Sequence, residues 1–136
     1  MSRARRSGRR GVSHLEFALI LPVLLTILVG IMEFGWVFFQ RTAVQESMRQ
    51  GCRYGATLDP AVDDIDGEVE ALTLTALGGL GVRCDAGDCV ISAEVEGAFP
   101  TQRLRCLASV RHRAFVNLLP MPERLSSGYL YYLEVQ

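Results

Sequence analysis

The sequence predicts an α+β fold, with a long N-terminal helix, a short second helix and a small three-stranded antiparallel sheet. Three observations predict it. An apolar, almost charge-free stretch lies near the N-terminus, a polar stretch with helical spacing of apolar residues follows, and period-two alternation dominates after residue 89. At 136 residues the chain fits one small domain.

The apolar stretch is long enough to cross a membrane. No charged residue occurs from Phe17 to Met32, and beyond Glu33 the stretch continues to Phe39. As a helix, residues 17–39 would be roughly 34 Å long, against a bilayer hydrocarbon core of about 30 Å. Aromatic residues at its outer end predict an interfacial belt, and the set is Trp36, Phe38 and Phe39.

Charge asymmetry predicts the orientation. The first eleven residues hold five arginines and no acid, whereas the rest of the chain holds nine arginines and fifteen acids. This distribution indicates a short basic arm on the cytoplasmic side and not a nucleic-acid-binding domain. We predict a basic cytoplasmic leader, a transmembrane helix, an amphipathic helix extension and an extracytoplasmic α+β domain, at residues 1–11, 12–39, 40–57 and 58–136.

The helix is expected to continue beyond the membrane. Val44, Met48 and Cys52 recur every four residues in an otherwise polar segment and form one apolar stripe. We predict one helix over residues 14–56, with a kink at Pro22, where a backbone hydrogen bond is lost.

A second helix is predicted from Asp64 to Leu77, after a break at Leu58-Asp59-Pro60. Asp63 or Asp64 is the expected N-cap. Apolar residues at helical spacing predict the buried side, and they are Ile65, Val69, Leu72 and Ala76.

Three strands are then predicted from alternation and composition. Residues 89–96 have an acidic outer face, and residues 103–111 have a basic one, so opposite charges can pair across the ladder. The third strand is expected over Tyr129–Val135, where β-forming residues concentrate. His112 is expected to face solvent or a neighbouring molecule.

All four cysteines lie in the part predicted to be exported, where an even number indicates disulfides. Three pairings are possible. The short spacing favours a local Cys84–Cys89 bridge, which leaves Cys52–Cys106 as the long-range pair, and buried free thiols are the alternative. The spacing of cysteines and histidines does not indicate a metal site, and no catalytic constellation occurs. We expect no cofactor and no enzymatic activity.

The N-terminus admits four interpretations. A secretory signal would need a small-x-small cleavage site after its apolar region, and none follows. A twin-arginine signal is suggested by Arg9-Arg10, but Gly-Val-Ser follows where apolar residues are expected. A plain signal anchor explains the span but not Glu16 at its entry, because a charge within a membrane is costly.

The fourth interpretation explains that acid. The segment Arg-Arg-Gly-Val-Ser-His-Leu-Glu-Phe resembles the processing site of type IV pilin-like precursors. The resemblance implies cleavage by prepilin peptidase after Gly11, which makes Val12 the new N-terminus, followed by Glu16 and Phe17. It also implies that Glu16 pairs with the α-amine of a neighbouring subunit, each charge offsetting the other's burial.

Three further segments make the resemblance more specific, and they are Leu21-Pro22, Gly30–Gly35 and Arg49–Ala56. They resemble TadE-like minor pseudopilins of the tight-adherence pilus machinery. The resemblance covers residues 9–57 and implies a structural or priming subunit of a tight-adherence pilus or related secretion apparatus. It implies location in the bacterial inner membrane and contacts with other pilins and the assembly platform. The candidate contact residues are Glu16, Glu33, Phe34 and Gly35.

Two rival hypotheses remain. The first is an uncleaved single-pass anchor whose periplasmic domain scaffolds another envelope complex. The second is a thiol-redox or metal-binding envelope enzyme that uses Cys84 and Cys89. For Glu33, access to interfacial water is the alternative to a contact with another protein.

Overall fold

Two helices and one three-stranded sheet make up the described part of the chain, as the sequence predicts. The computed structural model describes residues 9–61, 63–98, 101–114, 116 and 120–133. The arginines at positions 3, 5 and 6 of the predicted leader lie outside the described residues. In chain order the elements are α1 (Arg9–Gly55), α2 (Ile65–Gly79), β1 (Cys89–Glu96), β2 (Arg103–Arg111) and β3 (Arg124–Tyr132). The predicted α+β class is confirmed.

Helix α1 is continuous through Pro22, where the kink stays a prediction, and its two halves have different surroundings. It starts at Arg9, five residues before the predicted start, and ends at Gly55. From His14 to Phe39 most side chains are exposed although they are apolar. Within α1, the hydroxyl of Thr26 donates to the carbonyl of Pro22 at 2.8 Å. Among the described residues, α1 is the one helix long and apolar enough to cross a membrane.

The second half of α1 is amphipathic, as predicted. Val44, Met48 and Cys52 are fully buried and face α2 and the sheet. Gly51 and Gly55 lie on the same side, where a Cβ on Gly55 would be 2.4 Å from Cγ2 of Val69. The absent side chains therefore let α2 approach the α1 backbone.

Helix α2 begins after Asp64, whose side chain accepts from the backbone N–H of Gly67 at 3.3 Å. The predicted cap at Asp64 is thus present. The buried side differs in part from the prediction, because Thr73 and Leu77 are buried whereas Leu72 is 38% exposed. The close approach to Gly51 and Gly55 sets the rotation of α2 and turns Leu72 outwards.

The sheet has the order β1-β2-β3 and is antiparallel throughout. Its apolar face packs on the helices. On the opposite face, Arg105 contacts Glu96 at 3.1 Å, so acidic β1 and basic β2 pair as predicted. Asp66 of α2 accepts from the backbone N–H of Ala93 at 2.7 Å and occupies the outer edge of β1.

The third strand begins five residues earlier than predicted, at Arg124 instead of Tyr129. Ser126 pairs with Ser109, and Gly128 pairs with Leu107. Serine and glycine are poor strand formers. The backbone of β2 forms ladder hydrogen bonds with these residues all the same, because such bonds do not depend on the side chain. The predicted end of this strand, residues 134 and 135, lies outside the described residues.

Two disulfides close the fold. Cys52 of α1 is bonded to Cys106 of β2 with a Cα–Cα distance of 6.0 Å, and Cys84 to Cys89 at 5.4 Å. These are the two pairs that the sequence favoured. The first joins the helix that carries the apolar segment to the central strand of the sheet.

Candidate functional site

The four residues of the predicted processing site lie at the start of α1. Gly11 and Val12 belong to its first turns, and Glu16 and Phe17 follow about one turn later with exposed side chains. The helix thus places the exposed carboxylate of Glu16 close to the peptide bond between Gly11 and Val12. The processing role of these residues stays a prediction.

The first turn of α1 has weak helical support. It contains no acidic residue, and Arg9 and Arg10 oppose the positive end of the helix dipole. Glycine at position 11 costs about 1 kcal/mol of helix propensity relative to alanine. A protease that needs extended backbone would therefore open this turn more easily than later ones.

Glu33 has a different environment from Glu16. Its side chain is fully buried, although its neighbours along α1 are exposed. One carboxylate oxygen, Oε2, accepts from the backbone N–H of Val116 at 2.9 Å. The acid therefore binds the chain's own β2–β3 connection. The contact of Glu33 with another protein stays a prediction.

Two further residues on the same side of α1 hold this connection. Trp36 Nε1 donates to the carbonyl of Arg113 at 2.9 Å. The ring of His112 bonds to the amide oxygen of Gln40, which only accepts, so His112 Nδ1 is the donor. Positions 33, 36 and 40 are spaced by three and four, which places them on one face of a helix. We call these contacts the clasp: Glu33, Trp36 and Gln40 of α1 with His112, Arg113 and Val116.

His112 corrects a prediction. It was expected to face solvent or a neighbouring molecule, but it is half-buried against α1. The strand β2 ends at Arg111, so His112 leaves the alternation of the sheet, and the chain turns towards the helix there.

The side chain of Arg113 links the clasp to the short disulfide loop. It bonds to Asp88 at 2.7 Å and also to Asp85, and both aspartates lie between Cys84 and Cys89. The hydrogen bond to Asp88, and to a smaller extent the hydrogen bond to Asp85, raises the pKa of Arg113 above its usual value. The Cys84–Cys89 bridge thus shapes an acidic loop that holds the arginine whose carbonyl binds Trp36.

The other two contact candidates point away from the clasp. Phe34 is 53% exposed. A Cβ on Gly35 would have no atom within 4 Å. The Glu-Phe-Gly segment is therefore divided, with the acid turned into this fold and the next two residues presented outwards.

The aromatic residues at the outer end of the apolar segment are also divided. Trp36 stacks on Phe39 with ring centroids 5.5 Å apart, and it is half-buried by the clasp. Phe38 is exposed. Trp36 therefore has a structural contact in addition to its expected interfacial position.

Sequence reasoning missed the clasp. Two signals were present: the spacing of polar groups at 33, 36 and 40, and the absence of charge over residues 114–122. Neither signal identifies its partner, because the contacts join residues 72 to 83 positions apart. In the described part of the chain, no group of three or more His, Cys, Asp or Glu side chains could hold a metal ion.

These features define a class of protein: a chain whose described residues form a long, exposed apolar helix near the N-terminus that also supports a small disulfide-bonded α+β unit.

The family model described as TadE-like protein matches residues 11–53. The resemblance to TadE-like proteins is confirmed over that segment, which contains the predicted processing site, the apolar helix and most of its extension. The match supports the interpretation that the chain is a pilus-related membrane protein of the Tad system. No curated protein and no solved structure matches the chain.

Proposed function

We propose that this chain is a TadE-like minor pseudopilin, processed by prepilin peptidase after Gly11, that acts as a structural or priming subunit of a tight-adherence pilus or related secretion apparatus. The observation that carries the proposal is the position of Gly11 and Glu16. They stand at the start of an exposed apolar helix, inside the segment that matches the TadE-like family.

The proposed location is the inner membrane, with the N-terminus in the cytoplasm and the α+β unit outside. The arginine-rich leader supports this orientation. Two disulfides support an oxidising compartment for the unit beyond the span.

Cleavage would change the charge at the helix start. It removes all five leader arginines and creates an α-amine at Val12, about one turn from Glu16. An exposed carboxylate within an apolar helix surface is costly unless it is paired. Pairing with the amine of a neighbouring pilin would offset that cost on both sides.

Phe34 and Gly35 are the proposed packing surface further along α1. Glycine permits close approach of another helix, and phenylalanine supplies apolar contact area. Both are turned away from this chain's own fold. We propose that other pilins or the assembly platform dock on this side.

Mass spectrometry of the N-terminus in cells with and without active prepilin peptidase tests the processing step. We expect a chain that begins at Val12 only when the peptidase is active. Gly11→Val should abolish cleavage, because a branched side chain obstructs close approach to the backbone. Gly8→Val, three residues upstream in the same leader, is the matched control and should be cleaved normally. A chain that begins at Met1 or Ser2 in cells with active peptidase would overturn the proposal.

Glu16→Gln separates processing from assembly. We expect normal cleavage but loss of incorporation into the pilus, measured by its yield in sheared filament fractions. Glu68→Gln, which changes an exposed acid on α2, is the control and should leave incorporation unchanged. Normal incorporation of Glu16→Gln would contradict the assembly role.

The rival enzymatic hypothesis uses Cys84 and Cys89 as a redox pair. In the structure their disulfide has a different use, since it closes the loop that binds Arg113. Non-reducing peptide mapping should find this bridge stable and unreactive towards thiols. Facile reduction of this bridge under native conditions would favour the redox enzyme instead.

A further inference from the structure

The connection between β2 and β3 reaches down α1 to a level inside the apolar segment. Glu33 stands six residues before Phe39, where that segment ends. Six residues of helix span roughly 9 Å. Because the backbone nitrogen of Val116 lies 2.9 Å from Oε2 of Glu33, the backbone of Val116 lies within about one glutamate side-chain length of that level.

Val116, on this connection, presents an apolar side chain that is suited to lipid. Val116 is 50% exposed. Residues 114–122 contain no charged side chain, whereas Arg113 and Glu123 flank them. The Arg113 side chain is directed to Asp85 and Asp88, which are part of the α+β unit. The charged side chain of Arg113 is therefore held against the unit, whereas Val116 lies beside the apolar segment of α1.

The hydrogen bonds of the clasp satisfy two backbone groups of this connection, the Val116 N–H and the Arg113 carbonyl. Water is scarce at membrane depth, so each backbone polar group must find a protein partner there. Glu33 accepts from the Val116 N–H, and Trp36 donates to the Arg113 carbonyl. This arrangement explains why an acid and a tryptophan occur on one face at the outer end of the span.

From this geometry we propose that the β2–β3 connection inserts Val116 into the outer edge of the bilayer that α1 crosses, in contact with lipid acyl chains. The α+β unit would then be attached to the membrane at two points, the helix and this connection. The inference rests on membrane insertion of α1, which is part of the proposed function. It goes beyond that function because a single-span subunit needs no second contact with lipid.

Spin-label accessibility tests the inference on the full chain in vesicles of phosphatidylethanolamine and phosphatidylglycerol. A nitroxide is attached at Val116→Cys, under non-reducing conditions because the four native cysteines are in disulfides. Collisions with oxygen, which partitions into lipid, are compared with collisions with a water-soluble nickel complex. Val90→Cys is the matched control, since Val90 is also a valine, is 55% exposed and lies on the outer sheet face.

We expect the label at position 116 to favour oxygen over nickel severalfold more than the label at position 90. A label at 116 as accessible to nickel as the label at 90 would overturn the inference. Shielding from both reagents would also overturn it, because a protein partner, and not lipid, would then cover Val116.

Leu24→Cys separates failure of this inference from failure of the proposed function. Leu24 is an exposed residue near the middle of the apolar segment. Its label should favour oxygen strongly if α1 crosses the bilayer. If the label at position 24 is accessible to the nickel complex, membrane insertion of α1 and both proposals are refuted. If the label at position 24 favours oxygen but the label at position 116 is accessible to nickel, only the second contact with lipid is refuted.

Discussion

Glu16 and Glu33 are glutamates on the same helix, but their environments differ and so do their expected roles. On insertion scales a charge at the centre of a membrane helix costs about 2.5–3.5 kcal/mol. Glu16 is exposed near the helix start and has access to a partner outside this fold. Glu33 is buried and accepts from the Val116 N–H. The first acid suits contact between chains, and the second stabilises the chain's own connection.

Substitution of Glu33 should release the β2–β3 connection. Glu33→Ala removes the acceptor for a buried N–H, which costs about 1–3 kcal/mol. Glu33→Gln keeps an oxygen acceptor at a similar position and should retain most of the docking. Trp36 is the only tryptophan and lies in the clasp, so its fluorescence reports the change. We expect a red shift for Glu33→Ala and a smaller shift for Glu33→Gln.

Glu46→Ala is the control for this experiment. Glu46 lies on the same helix beyond the apolar segment, where its partners are Arg49 and Gln50. Its loss should not change the Trp36 emission. Identical spectra for Glu33→Ala and the parent chain would show that Glu33 does not hold the connection in place.

At the scale of elements, the packing of α1 on α2 depends on close backbone approach. Gly51 stands where a Cβ would be 2.2 Å from the hydroxyl oxygen of Thr73 and 3.2 Å from the carbonyl oxygen of Val69. Thr73 is fully buried, so its side chain has little room to move. The Val69 carbonyl is backbone and moves only with α2.

Gly51→Ala should therefore destabilise the unit by about 1–3 kcal/mol, the usual cost of overpacking. Urea unfolding of the full chain in detergent, followed by circular dichroism, measures the change. Gly78→Ala is the control, because a Cβ there meets no atom within 4 Å. Equal midpoints for Gly51→Ala and Gly78→Ala would contradict the close-packed interface.

At the scale of the whole molecule, the two disulfides act over different lengths of chain. Cys52 and Cys106 are separated by 54 positions and join α1 to the central strand. Cys84 and Cys89 are separated by 5 positions and constrain one loop. In the chain-entropy description, a bridge restricts the unfolded state more when it closes a longer loop.

Removal of the long-range bridge should cost more stability than removal of the local one. The loop lengths predict about 4 kcal/mol for Cys52→Ser with Cys106→Ser, and about 2 kcal/mol for Cys84→Ser with Cys89→Ser. Guanidinium unfolding of the oxidised full chain in detergent compares the two double variants. A larger loss for the local pair would mean that its contacts through Asp85, Asp88 and Arg113 outweigh chain entropy.

Elements with local signals were predicted well. The apolar run, the stripe at Val44, Met48 and Cys52, and the alternation in β1 and β2 each depend on neighbouring residues in sequence. The start of β3 was missed because Ser126 and Gly128 have low strand propensity, and their pairing comes from β2. The position of Leu72 was wrong because the rotation of α2 depends on glycines in another helix.

The fold class, the apolar helix and the candidate processing site at Gly11 and Glu16 can all be recognised in the amino-acid sequence alone. These depend on composition, periodicity and short spacings, which the chain carries wherever it folds. The binding of the β2–β3 connection by Glu33, Trp36 and Gln40 is visible only in the folded chain. That outcome depends on contacts between residues 72 to 83 positions apart, and such contacts form only when the sheet has packed on the helix.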